Sequence, residues 1–319
     1  QIGVERVRAR SGWLNQEEAS ILDPQFNYVA RVNRLPIERL RYGVPQKQQL
    51  SPSPRIQAEI SLPEDPESNL YLQLDQNANR ADYFLSWIDD SLTLVHRRDR
   101  ARPILSINQK EQTSPEYLMQ RQMIHLAKWE NLLNLSNPNS QIETNWLGFD
   151  LLQIENDIPL PPSPSGYELD MESDLQVRFQ IHNRGPRPLY FGLLYMSADL
   201  QVMPLPLEEG MQYLEGGNSA LAISGESATI SFSRRQLSLD QRDCTDYLKV
   251  IASPEPFDPK ILEMLDVDRQ SERVPLRQIN RWTNTHALLF DEVQGLYQDW
   301  QTRLVPIRMK YNPDRFKVE

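Results

Sequence analysis

From residue 167 to residue 182 (YELDMESDLQVRFQIH) apolar and polar positions alternate almost without a break. Tyr167, Leu169, Met171, Leu175, Val177, Phe179 and Ile181 share one side, interrupted by Ser173. Glu168, Asp170, Glu172, Asp174, Gln176, Arg178, Gln180 and His182 share the other. Successive strand side chains point to opposite faces, so a period of two this long predicts a sheet with one buried and one wet face. The stretch 189–196 (LYFGLLYM) has no wet side and reads as a central strand. Shorter strands follow at 201–205, 219–223, 228–232 and 246–252, with Gly216-Gly217-Asn218 among the turns between them. Short strands at this spacing predict an antiparallel β-sandwich of immunoglobulin-like type. The tail is punctuated by proline and reads as helical near 259–265 and over part of 284–296. It closes on an alternating stretch, 300–311, suited to a last strand.

Upstream the pattern is different. Strands are expected at 28–33 (YVARVN) and 56–62 (IQAEISL), with a linker-like stretch at 46–54 (QKQQLSPSP) between them. Segments 82–88 (DYFLSWI) and 91–96 (SLTLVH), joined by Asp89-Asp90, read as a hairpin. The clearest helix opens at Ser114-Pro115-Glu116. Serine caps well, proline is preorganised for the first helical position, and glutamate complements the positive end of the dipole. Met119, Met123, Leu126 and Leu133 recur at helical spacing, and Asn137-Pro138-Asn139 ends the element. The expected class is therefore α+β. A small α/β or mostly β domain covers 1–112, a connecting helix 113–137, and a larger β-sandwich 138–319 with a helical insertion near 259–296.

Composition narrows the chemistry. The 319 residues carry Lys+Arg 34 against Asp+Glu 44, a net charge of −10, with one Cys and four His. An internal disulfide is impossible and zinc-finger spacing is absent, which points to a reducing, cytoplasmic setting. With 24 Pro and only 12 Gly there is no G-x-G-x-x-G or P-loop pattern. No run approaches the ~20 apolar residues of a membrane helix, and 1–10 (QIGVERVRAR) has no signal-peptide core. Arg97, Arg98, Arg100 and Arg102 cluster after a strand and read as an exposed turn. A nucleic-acid partner is not expected of so acidic a chain.

Candidate catalytic groups do not assemble. Cys244 lies among Asp243 and Asp246, whose charges would disfavour the thiolate, and reads as a residue at the start of a buried strand. No G-x-S-x-G occurs, and His96, His125, His182 and His286 share no motif. Eight carboxylates against one Arg178 fill 141–180 and raise calcium as a possibility. Side chains two apart on a strand stand ~7 Å apart, too far to hold one ion unaided. The expectation is no catalytic residue, no metal and no cofactor. Glu168, Asp170, Glu172 and Asp174 form a candidate partner surface, because an acidic stripe steers basic partners.

Five stretches carry a resemblance to a known group. They are 126–138 (LAKWENLLNLSNP), 175–185 (LQVRFQIHNRG), 188–196 (PLYFGLLYM), 247–258 (YLKVIASPEPFD) and 300–303 (WQTR). Together they resemble the β-rich accessory region that follows the peptidase domain in bacterial caspase-like, metacaspase-type (peptidase C14-like) proteins. The resemblance implies the C-terminal, non-catalytic part of a longer protein, to which a start at Gln1 conforms. The family's catalytic His and Cys signatures are absent, so none of its catalytic residues carries over. The implied function is to hold a caspase-like peptidase domain, or to present surfaces to its substrate or regulator. The rival readings are a stand-alone hydrolase using Asp and Glu residues, and a carbohydrate- or peptide-binding sandwich.

Overall fold

A computed structural model describes residues 3–9, 12–14, 29–34, 38–44, 60, 62–63, 66–77, 80–88, 90–110, 114–154, 157–171, 174–205, 211–222, 227–232, 242–265 and 299–311. The chain divides into two compact units, Gln1–Ala127 and Lys128–Glu319. β-Strands dominate both, spread over several sheets.

In the first unit β1 (Gly3–Ala9), β2 (Gly12–Leu14) and β3 (Val29–Arg34) form an antiparallel sheet of order β2-β1-β3. A second sheet has the order β5-β4-β6-β7-β8, built from β4 (Leu40–Gly43), β5 (Leu72–Leu74), β6 (Tyr83–Ile88), β7 (Ser91–His96) and β8 (Asp99–Asn108). The short helix α1 (Pro66–Tyr71) precedes β5, and β4 runs parallel to both β5 and β6. The expected hairpin at 82–96 is present, with Ile88 opposite Ser91. Leu85, Leu92 and Leu94 of the hairpin and Leu105 of β8, opposite Leu94, are fully buried. The strand expected at 56–62 falls almost wholly outside the described residues.

Helix α2 (Pro115–Asn134) begins at the proline that the capping pattern selects, and the division between the units falls within it. Beyond it come β9 (Leu147–Gln153), β10 (Tyr167–Met171), β11 (Leu175–Asn183), β12 (Leu189–Met196), β13 (Val202–Pro204), β14 (Gln212–Leu214), β15 (Ser219–Leu221), β16 (Ala228–Ile230), β17 (Asp243–Ser253) and β18 (Gln301–Tyr311). One sheet has the order β10-β18-β17-β12-β13, with β14 also on β12; the other has the order β15-β11-β16, with β9 on β11. A single buried cluster draws on both, uniting Phe149, Val177, Phe179 and Ile181 with Phe191, Leu193, Leu248, Val250 and Ile307. Each such side chain contributes ~1.5–3 kcal/mol on leaving water.

Two expectations are corrected here. The run 167–182 is not one strand: it splits between Met171 and Leu175 into β10 and β11, which belong to different sheets. The alternation is unbroken because the apolar sides of both strands enter the same cluster. The second unit is also not purely antiparallel, since β10 runs parallel to β18, Tyr167 opposite Ile307. The connection from β10 to β18 is long, which is what a parallel pairing requires. In the tail, Pro259–Leu262 forms one 3-10 turn, capped by the Asp258 carboxylate accepting from the Lys260 N–H. The helix expected at 284–296 lies outside the described residues. Among those described, no helix is long and apolar enough to cross a membrane.

Candidate functional site

The acidic run is divided by the fold. Glu168 and Asp170 are exposed on β10, Asp174 is exposed just ahead of β11, and Glu172 lies outside the described residues. Register places Glu168 opposite Arg308 and Asp170 opposite Lys310 on β18. Lys310 Nζ lies 3.8 Å from Glu168 Oε2. Arg308 grips Asp243 through two bonds, Nε–Oδ1 at 3.1 Å and Nη2–Oδ2 at 2.7 Å. The stripe thus borders a basic row, and its face is mixed in charge. Exposed pairs of this kind hold little energy, ~0–1 kcal/mol each.

A second surface lies on the wet face of β11, where register assembles what the sequence leaves scattered. Asp150 stands opposite Gln180, and His182 has Gly148 on one side and Ser219 on the other. His182 Nε2 lies 2.8 Å from Asp150 Oδ2. Gln180 Nε2 donates to Ser219 Oγ at 3.4 Å, and Gln176 Nε2 to Thr229 Oγ1 at 2.6 Å. Arg178 Nη1 donates to Asp157 Oδ1 at 2.6 Å. Gly148 is required here: a Cβ at that position would stand 2.6 Å from His182 Cβ and 2.7 Å from Arg184 Nε. The parity of 175–182 foretold the wet face. The pairing of Asp150 with His182 depends on how β9 aligns with β11, and nothing local encodes that.

At the end of β11 the turn is tied from within. Asn183 is fully buried; its amide donates to the Arg187 and Leu214 carbonyls, and its side-chain oxygen accepts from the Gly185 N–H. Arg187 Nη2 then reaches Asp299 Oδ2 at 2.5 Å. Asp299 also accepts from Ser140 Oγ and the Gln141 N–H, both at 2.7 Å. Burial alone would raise this carboxyl, but the bonds from Ser140, Gln141 and Arg187 outweigh it and hold the carboxyl below the usual range.

Two ionisable groups are sealed inside. Asp246 is 3% exposed, accepts from the Tyr195 hydroxyl and, through Oδ1, from the Ala198 N–H at 2.8 Å. Burial pushes its carboxyl up to about 6 against the opposing pull of those bonds. Its position explains its role: it fixes the turn between β12 and β13, where Leu200 holds a φ of 66°. Lys249, on the opposite face of β17, is 1% exposed and donates through Nζ to the Leu133 carbonyl at 2.9 Å. Burial lowers its ammonium to about 7. Thr302 Oγ1 donates to the Leu135 carbonyl at 2.7 Å, and the Trp129 ring meets Tyr247 edge-on at 5.9 Å. These contacts moor the C-terminal end of α2 to β17 and β18, and neither buried group presents itself to a substrate.

Chemically, the wet face of β11 offers alternating donors and acceptors on regular strands. His182 Nε2 meets Asp150 and Ser219 Oγ is engaged by Gln180; among the described residues no side-chain hydrogen bond joins His182 to Ser219, so the three are not linked as a nucleophile relay. Among the described residues no three His, Cys, Asp or Glu side chains converge as metal ligands. The exposed Tyr213 tilts against Tyr190 at 59°, and so does not share a plane with it as a sugar-stacking platform would require. No family model matches the sequence, and no curated protein matches it. Among solved structures the chain is similar to the ASH / PapD-like domain of human CEP192 (PapD-like domain 7). The TM-score is 0.24 at 9% identity, over 56% of this chain and 94% of that one.

Proposed function

We propose that this chain is a non-catalytic binding and regulatory region acting with a caspase-like cysteine peptidase, and that its second unit is a β-sandwich presenting protein-binding surface. The observation that carries the proposal is the wet face of β11. Asp150, Gln176, Gln180, His182, Ser219 and Thr229 stand there in register on strands whose other face is fixed in the core. Rigid strands hold such groups in place, so binding costs little ordering entropy. The resembling stretches support the same reading from the inside: 175–185, 188–196 and 247–258 contain β11, β12 and most of β17, which line the shared core. They are scaffold positions, and the face they support is free to set partner choice.

The test is titration of the purified chain against a caspase-like peptidase domain from the same genome, followed by calorimetry and by peptidase turnover. Saturable binding, weakened by Gln180→Ala with His182→Ala, supports the proposal. A folded chain that neither binds the domain nor changes its turnover refutes it. Loss of binding confined to Glu168→Lys with Asp170→Lys would transfer the surface to β10.

A further inference from the structure

We propose that the β7–β8 edge of the first unit docks an acidic polypeptide segment through Arg98, Arg100 and Arg102. The proposal does not rest on the function assigned to the second unit. Residues 97–102 (RRDRAR) carry four Arg and one Asp within a chain of net charge −10. Register shows how the fold displays them. His96 lies opposite Asp99, closing a tight turn at Arg97-Arg98, but the next pair on β7 and β8 is Val95 with Pro103. Arg100, Ala101 and Arg102 therefore have no partner on β7 and bulge from the edge. β8 is the last strand of its sheet among the described residues, so backbone groups and guanidiniums are offered together.

The side chains around the bulge define the ligand. Arg100 lies over the Phe84 ring, its guanidinium carbon 4.5 Å from the centroid, which fixes the planar fork against the sheet. Among the described residues neither Arg98 nor Arg100 has a carboxylate partner. Among the same residues Arg102 has only the loose contact of its Nε with Asp99 at 3.8 Å, both side chains more than half exposed. Arg41, by contrast, is already neutralised by Asp82 at 2.8 Å. Guanidiniums held this way recognise carboxylates by paired, bidentate bonds. Single-stranded nucleic acid would need open aromatic faces for its bases. Phe84 is buried beneath Arg100, and His96 is edge-on to Tyr83 at 5.2 Å while its Nδ1 accepts from the Arg98 N–H. Both rings are spent on the protein itself, which favours carboxylates as the ligand.

The experiment uses the full chain and fluorescence anisotropy with two probes, a labelled oligoglutamate peptide and a labelled oligothymidylate of matched charge. Oligoglutamate should bind more tightly, weaken as salt rises, and lose about tenfold or more in affinity in Arg98→Glu with Arg100→Glu. Both positions are exposed, and unchanged circular dichroism confirms that the variant folds. The variant Arg98→Lys with Arg100→Lys, which keeps the charge but not the fork, should fall between the two. Equal binding by wild type and the Glu variant overturns the proposal. Tighter binding of oligothymidylate overturns it in favour of a nucleic-acid ligand.

Discussion

Replacing Lys249 by methionine should stabilise the protein, and the gain should depend on pH in a defined way. Lys249 stands in register with Leu194 and Leu304, is 1% exposed, and among the described residues makes one hydrogen bond, to the Leu133 carbonyl. An ammonium has three donors, of which the described residues meet one. Burial strips the charged form of water and lowers the group from 10.5 to about 7, a difference worth ~5 kcal/mol at ~1.4 kcal/mol per unit. Between pH 7 and 10.5 the unfolded chain holds this proton and the folded chain does not. Stability therefore rises with pH across that window, by ~4 kcal/mol from this group alone. Methionine fills a similar volume without the charge, but leaves the Leu133 carbonyl unmet at a cost of ~1–3 kcal/mol. The variant should gain ~1–3 kcal/mol at neutral pH and lose its advantage above pH 10. Urea unfolding followed by tryptophan fluorescence from pH 6.5 to 10 measures both. Wild-type and variant curves that run parallel across this range would refute the reasoning.

Asp246→Asn should change stability in the acid range with the opposite sign. The folded wild type holds a proton up to about pH 6 that the unfolded chain releases near 3.8, so wild-type stability falls by ~2 kcal/mol as pH rises from 4 to 6, and denaturant titrations at several pH values should show the Asn variant without that slope. Gly166→Ala should be severely destabilising, with a large drop in Tm. At φ 120° its Cβ would stand 2.2 Å from the Pro306 carbonyl oxygen, a backbone atom that cannot swing aside. Gly217→Ala has φ 84° but open space, and calorimetry should find only the conformational cost of ~1 kcal/mol.

Elements written in local pattern were legible. The capped start of α2 at Pro115, the hairpin at 83–96, the all-apolar β12 and the last strand β18 each depend on neighbours within a few residues, and each stands where the pattern put it. The polar interior was not legible. Nothing near Lys249 or Asp246 marks either as interior: each is a charged residue of the strand expected at 246–252, yet both are sealed. Lys249 is covered by the end of α2, more than a hundred residues away in sequence, and Asp246 by the turn after β12. The candidate surfaces follow the same rule. That Glu168 and Asp170 are exposed was visible in the period of two; that Lys310 and Arg308 stand beside them was not, because a parallel pairing with residues 307–311 leaves no local mark. His182 stayed a lone histidine until β9 supplied Asp150.

The split of the run 167–182 leads to a last prediction that separates phase from continuity. In one continuous strand, inserting a residue moves every following side chain to the other face. A glycine inserted after Glu172 would then turn Val177, Phe179 and Ile181 outward, or Tyr167, Leu169 and Met171, and the core could not form. With β10 ending at Met171 and β11 starting at Leu175 in another sheet, no shared pleat transmits the shift. Each strand keeps its own register, β10 against β18 and β11 against β9, and the connection absorbs the extra residue. Lengthening a short connection costs ~1 kcal/mol or less in closure entropy. Turning three buried apolar side chains into water would cost at least ~5 kcal/mol, comparable to the whole stability of many domains. The insertion variant should therefore fold, with a urea midpoint close to that of the wild type. An unfolded or aggregated product would restore the single strand and place 175–182 in the sheet of β10.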